Sequence, residues 1–173
     1  MPNYLTPIAS QVLATTAASV TFSAIPGTYT DLMLKMSTRG SIDGSDISVE
    51  VNADSATNYS RTVLGTENNV AGSSRVANQA YAYIIGQVNS SAATANTFSN
   101  SELYIANYSA TGAKQLSSFG VTESNITSGD YTTRQTVVAN LYRGTAAITI
   151  VKISAPANFV AGSRFDLYGI LKA

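Results

Sequence analysis

The stretch Tyr29-Thr30-Asp31-Leu32-Met33-Leu34-Lys35-Met36-Ser37 decides the fold class. Leu32, Leu34 and Met36 fall on one side of an extended chain, and Asp31, Met33 and Lys35 on the other. Period two is what a half-buried strand requires. Ile47-Ser48-Val49-Glu50-Val51 repeats the pattern, with the three aliphatic residues expected inside and Ser48 and Glu50 outside. No segment sustains a 3.6-residue period over a helix's length.

Working outward, Ile8 to Ala14 and Ser19 to Ser23 read as the first strands, the second alternating at Val20 and Phe22. Arg61 to Gly65 reads as a short strand, and Gln79 to Val88, Phe98 to Asn107, Lys114 to Val121 and Arg164 to Leu171 as longer ones. Tyr131 to Tyr142 and Ala146 to Ile153 read as a hairpin across Arg143-Gly144-Thr145. Thr66 to Asn78 reads as a long loop, and Thr66 to Ala82 is the one place that admits a short helix. Pro156 to Gly162 reads as a connection. Roughly nine to ten strands separated by turns predict an all-β, antiparallel β-sandwich. The 173 residues suit one domain, 1–173, with residues 1–7 expected as a flexible arm.

Composition narrows the chemistry. The chain has no Cys and no His, which removes disulfides, thiolate and imidazole metal sites, and the Ser-His-Asp and Cys-His nucleophile arrangements. No phosphate-binding glycine loop or dinucleotide fingerprint is present. Lys plus Arg number 10 and Asp plus Glu number 10, and only 12% of residues are charged, against about 25% in an ordinary domain. The basic residues are scattered singly, so nucleic acid is not an expected partner. No apolar run approaches the length of a membrane span. Met1-Pro2-Asn3-Tyr4 lacks the charged and apolar regions of a signal peptide. A neutral surface of Ser, Thr, Asn and Gln loses little side-chain entropy when buried, and copies that carry it do not repel one another.

Carboxylate pairs are the remaining route to catalysis, as in glycoside hydrolysis. Asp31, Asp43, Asp46, Glu50, Asp54, Glu67, Glu102, Glu123, Asp130 and Asp166 supply them, but no spacing pairs any two. The predominant expectation for these residues is loops, caps and surface, and the chain reads as a non-enzyme without a cofactor. Asp43, Asp46 and Asp54 are weak calcium candidates, better read as Asx turns. Tyr59, Tyr81, Tyr83, Tyr104, Tyr108, Tyr131 and Tyr142 lie in or beside strands. They are candidates for an interface or ligand face, weighed against ordinary packing, with Tyr81 and Tyr83 on one strand face. Asn58, Asn89, Asn107 and Asn125 begin glycosylation sequons that composition alone accounts for.

Val20-Thr21-Phe22-Ser23-Ala24-Ile25-Pro26-Gly27-Thr28-Tyr29-Thr30-Asp31-Leu32 resembles the opening of small virion proteins of tailed bacteriophages. Phe159-Val160-Ala161-Gly162-Ser163-Arg164-Phe165-Asp166-Leu167-Tyr168-Gly169-Ile170 resembles their closing strand. Val51-Asn52-Ala53-Asp54 through Asn58-Tyr59-Ser60 fits the same type. Residues 66 to 145 carry no such motif. The resemblance implies a jelly-roll-like sandwich in a capsid-decoration, tail or fibre role, assembled in the host cytoplasm and located in the virion. It implies a homo-oligomer, a trimer by preference, packed on identical copies or on capsid or tail proteins. A host-surface glycan-binding module is the second reading and a carboxylate-dependent glycan hydrolase the third.

Overall fold

The computed structural model describes residues 4–42, 46–67, 70–85, 88–90, 93–124 and 133–171. Among them run β1 (Leu5–Val12), β2 (Ala17–Phe22), β3 (Asp31–Thr38), β4 (Ile47–Val51), β5 (Tyr59–Glu67), β6 (Val70–Gln79), β7 (Ala82–Ile85), β8 (Ser99–Ile105), β9 (Lys114–Glu123), β10 (Thr133–Tyr142), β11 (Val151–Phe159) and β12 (Arg164–Ile170). They form two sheets, β1-β12-β3-β8-β9-β10-β5-β6 and β2-β11-β4-β7, with every pairing antiparallel. The protein is a β-sandwich.

Setting aside β5, β6, β9 and β10, the sheets read β1-β12-β3-β8 and β2-β11-β4-β7. First pairs with last, second with second-last, and so inward to β4 with β7. That nested order is the jelly roll. Two additions then widen one sheet only. The β5–β6 hairpin enters between β4 and β7, the β9–β10 pair enters between β8 and β11, and together they continue the larger sheet beyond β8.

The alternation read from sequence sets the core. Leu32, Leu34 and Met36 of β3 are buried, as are Ile47, Val49 and Val51 of β4, and Phe165 and Leu167 of β12. Phe159 meets Phe165 edge-on at 5.0 Å, joining the two sheets. Asp31, expected on the outer side, is fully buried there. Its carboxylate accepts the Tyr104 hydroxyl at 2.5 Å and the Asn107 N–H at 2.8 Å, so the following turn folds over it.

Several boundaries differ from the sequence reading. Leu5 to Pro7, expected in a terminal arm, pair with Ile170 to Tyr168, because β12 offers them a ladder edge. The described residues of the loop expected over Thr66 to Asn78 belong to the paired strands β5 and β6, and those of Thr66 to Ala82 form no helix; β6 is exposed along nearly its whole length and carries no burial pattern to read. The expected hairpin across Arg143-Gly144-Thr145 is a crossover between sheets. β10 pairs with β5 and β9, whereas β11 pairs with β2 and β4. Residues 143–150 make no strand because side chains and loops take their polar groups. Lys114 donates to Thr145 and Ala146 carbonyls, Asn52 Nδ2 donates to Ala147, Asn52 Oδ1 accepts from Thr149, and Ile148 N–H donates to Tyr108. Pro156, expected in a connection, lies within β11 where the ladder to β2 is interrupted between Ser154 and Phe159, the kind of place a strand tolerates proline.

Two cations fasten loops. Lys114, only 2% exposed, directs its ammonium at the carbonyls of Ala110 (2.8 Å), Gly112 (2.7 Å), Thr145 (3.1 Å) and Ala146 (2.8 Å). Burial pulls this ammonium below the ordinary lysine range. Arg39 spreads its guanidinium over the carbonyls of Thr94, Thr97, Ala93 and Ser90.

Candidate functional site

The extension of the larger sheet presents two surfaces that its smaller partner does not cover. The outer one belongs to β9, β10 and β5. Alternation sends Ser117, Phe119 and Val121 of β9, Gln135, Val137 and Ala139 of β10, and Thr62, Leu64 and Thr66 of β5 to this face. The register aligns Phe119 with Val137 and Val137 with Leu64. Three large apolar side chains therefore stand in one cross-strand row, 45%, 54% and 62% exposed. Glu123, at the end of β9, is the only charged residue that these three strands send to this face among the described residues. The adjoining row through Ser117 reaches Tyr104, Met33 and Tyr168.

The second surface is a groove of about 410 Å³ on the inner side, where β5 and β6 overhang the end of the smaller sheet. Its construction begins at β7. Asn140 of β10 brackets Tyr83 with two hydrogen bonds, accepting the Tyr83 N–H at 2.9 Å and donating to its carbonyl at 2.9 Å. Ser118 donates to the Tyr83 and Ile84 carbonyls. This polar lacing fixes β7 against β9 and β10 and turns the Tyr83 ring towards Arg61, whose guanidinium carbon lies 4.5 Å from the ring centre. Tyr81, half-exposed, approaches the same guanidinium at 6.0 Å. Burial pushes the Tyr83 phenol well above the ordinary tyrosine range.

Across the groove, Asp46 stands 3.9 Å from Arg134. Gly65 and Gly72 face each other in the ladder, so the floor between β5 and β6 has bare backbone. Gly65 needs its lack of a side chain, because a Cβ there would collide with the Gln135 carbonyl; Gly72 has open space above it. Thr136 lies in the wall, 5% exposed, with no hydrogen-bond partner for its hydroxyl. Arg61 Nη1 is also buried without a partner. A guanidinium and a hydroxyl in that state can receive an anion and a hydroxylated ligand.

The tyrosine candidates divide by burial. Tyr59, Tyr108 and Tyr142 are core residues, which withdraws their rings from any interface. Tyr59 stacks on Tyr142 at 4.8 Å, and Tyr108 donates to the Pro26 carbonyl. Tyr142 donates to Asp54 at 2.9 Å. Tyr104 is tied to Asp31 on the outer face, Tyr83 lines the groove and Tyr81 approaches Arg61 from beside it; Tyr131 lies outside the described residues. Of the calcium candidates, Asp43 is also outside them. Asp46 and Asp54 lie beyond opposite ends of β4, too far apart in the chain's layout to share an ion. Asp54 is occupied by Asn58 Nδ2 and Ala56 N–H, each at 2.9 Å, which with Tyr142 hold its carboxyl below the usual range. No group of three potential metal ligands gathers among the described residues. Asn89, which begins one sequon, is buried, with its amide donating to the Thr97 hydroxyl and the Glu123 carbonyl. None of the described residues forms a helix long and apolar enough to cross a membrane.

Sequence reasoning missed Arg61, Arg134, Thr136, Gly65 and Gly72. The signal was the period-two series Arg61-Val63-Gly65, a cation and a glycine on one strand face, but its partner strand carries no recognisable pattern. Compared with known proteins, the chain matches no family model, and no curated protein shows significant similarity to it.

Proposed function

We propose that the protein is a structural component of a phage-type virion that packs on copies of itself. The observation that carries this reading is the uncovered outer face of β9, β10 and β5, with the Phe119–Val137–Leu64 row at its centre. The row ends on Glu102, opposite Phe119 in the ladder, with Lys35 paired to it beyond, and an exposed apolar row of this size marks an interface. A second copy fits it because the chain carries no net charge and the nearest charge, Glu102, is balanced by Lys35, so like faces meet with little repulsion. The size suffices. Three strands spaced about 4.8 Å apart and rising about 3.3 Å per residue offer roughly 14 by 33 Å, or about 475 Å², and the flanking β8 and β6, which bring Glu102 and Arg75 to the same side, widen the face to about 800 Å². A standard interface buries about that much on each partner.

The virion context rests on the resemblance at both ends of the chain, with which the jelly-roll order agrees. Capsid or tail proteins are the further partners it implies, and the trimer is the expected copy number. The reading is of a non-enzyme, since the chain lacks the His and Cys on which the common side-chain nucleophile arrangements depend. Cryo-electron microscopy of the particle encoded with this chain tests the proposal. The expected map contains the sandwich in symmetric sets with the β9–β10–β5 face buried. Its absence from the particle, or a fully solvated outer face there, overturns the reading. The glycan-binding reading is favoured by one separate observation, the unpaired polar groups of the groove.

A further inference from the structure

We infer that the groove beneath β5 and β6 binds a carboxylate-bearing sugar, with Arg61 receiving the carboxylate. The inference deepens the glycan-binding reading and does not depend on the assembly of copies.

Arg61 lacks a partner for part of its guanidinium. Its guanidinium is braced on the Tyr83 ring at 4.5 Å, yet Nη1 is buried with no hydrogen-bond partner. A buried fork of this kind costs stability unless something accepts its protons. The groove's acidic side is directed elsewhere. Asp46 is shared between Arg134, at 3.9 Å, and the Tyr83 phenol. A planar guanidinium held rigidly by an aromatic ring matches a carboxylate in a bidentate contact. One unspent cation matches one negative charge better than a phosphate dianion.

The rest of the groove fits a sugar ring. Its volume of about 410 Å³ lies at the lower end of small-ligand sites and holds one or two rings. The Thr136 hydroxyl, 5% exposed and unpartnered, supplies a donor and acceptor for sugar hydroxyls in the wall. The open space above Gly72 leaves room for a ring against the β6 backbone. Tyr81, 38% exposed, presents an aromatic ring 6.0 Å from the Arg61 guanidinium.

The test is a calorimetric or NMR titration of the full chain with glucuronic acid, and with glucose as the neutral probe. The expected result is saturable binding of glucuronate and at least about tenfold weaker binding of glucose, the loss that one charge-assisted contact represents. Arg61→Gln should weaken glucuronate by about tenfold or more. Gly72→Val should abolish binding by filling the groove. Its Cβ meets nothing within 4 Å, so its thermal melting should match the parent, which keeps the test valid if the Arg61 variant folds poorly. Equal response to glucose and glucuronate, no response to either, or glucuronate binding that survives Gly72→Val overturns the inference. Displacement of bound glucuronate by a short acidic peptide of higher affinity would also overturn it, by assigning the groove to a protein carboxylate.

Discussion

Replacing Lys114 by Met removes an ammonium from beneath two loops while leaving most of the side-chain volume. Its three protons serve four carbonyls, on Ala110, Gly112, Thr145 and Ala146, all within 3.1 Å. Hydrogen bonds to a charged group contribute about 1.5–3 kcal/mol each, so three sum to roughly 5–9 kcal/mol. Two effects reduce that figure. The ammonium's own desolvation, visible in its lowered pKa, disappears with it. Ala110, Thr145 and Ala146 are exposed, so their carbonyls regain water once the cation is gone. The net loss should be about 3 kcal/mol, the low end for breaking a buried charge network. In a chain of this size that lowers Tm by about 6–12 °C. Urea denaturation should show a lower midpoint with an unchanged slope. Lys35→Met is the control. Lys35 pairs with Glu102 at 3.2 Å with side chains 51% and 43% exposed, and its loss should cost less than about 1 kcal/mol. If Lys114→Met costs no more than Lys35→Met, the clamp does not hold the crossover, and the account of residues 143–150 fails.

Other expectations follow from the same geometry. Tyr104 is pushed up to about 12 by its hydrogen bond to Asp31, and Tyr142 to about 12 by burial and its bond to Asp54, from an unfolded value of 10.0. Their folded pKa values are raised, so the stability they contribute is complete below about pH 10 and is lost as pH climbs from 10 towards 12. Tyrosinate absorbance followed together with circular dichroism should show these two groups ionising only as the sandwich opens; early ionisation in the intact fold would contradict the two pairings. Asp54, held low mainly by Asn58 and Ala56, acts in the opposite sense, contributing stability above the unfolded value of 3.8 and losing it as pH falls through the lowered one. Asp31→Ala should cost about 2–4 kcal/mol by leaving the Asn107 N–H and Tyr104 hydroxyl without their acceptor, and a cycle with Tyr104→Phe should return a coupling above about 0.5 kcal/mol. Gly169→Ala should cost about 1–3 kcal/mol, because its Cβ would overlap the Tyr29 ring, and a melt equal to the parent's would refute that packing.

The parts of the fold that bury one face were legible in the sequence. β3, β4 and β12 show in Leu32-Leu34-Met36, Ile47-Val49-Val51 and Phe165-Leu167 because those residues enter the core and their neighbours do not. β6 was invisible for the converse reason. Ala71-Gly72-Ser73-Ser74-Arg75 is exposed on both faces, so nothing in it alternates, and its strand state comes from pairing with β5. The crossover at 143–150 resembled a hairpin because local sequence registers a glycine turn between two β-type runs. It does not register that Lys114 and Asn52, distant in the chain, take the backbone's hydrogen bonds. Which tyrosines pack and which face outward was not legible for the same reason: Tyr59 and Tyr142 become core residues only when strands far apart in sequence stack them. The groove was beyond reach, since Arg61, Tyr83 and Thr136 come from three separate strands.

The outer face of the extended sheet carries the central claim, and the mass of the protein in solution tests it most directly. Sedimentation velocity or light scattering across a concentration series should give an integral multiple of the chain mass for the wild type. Val137→Glu, placed in the centre of the row at a position 54% exposed, should give a single chain that still unfolds cooperatively, its melting temperature lowered only by the loss of assembly and independent of protein concentration. A wild type that stays monomeric throughout the series, or a Val137→Glu variant that assembles as well as the wild type, would contradict the account.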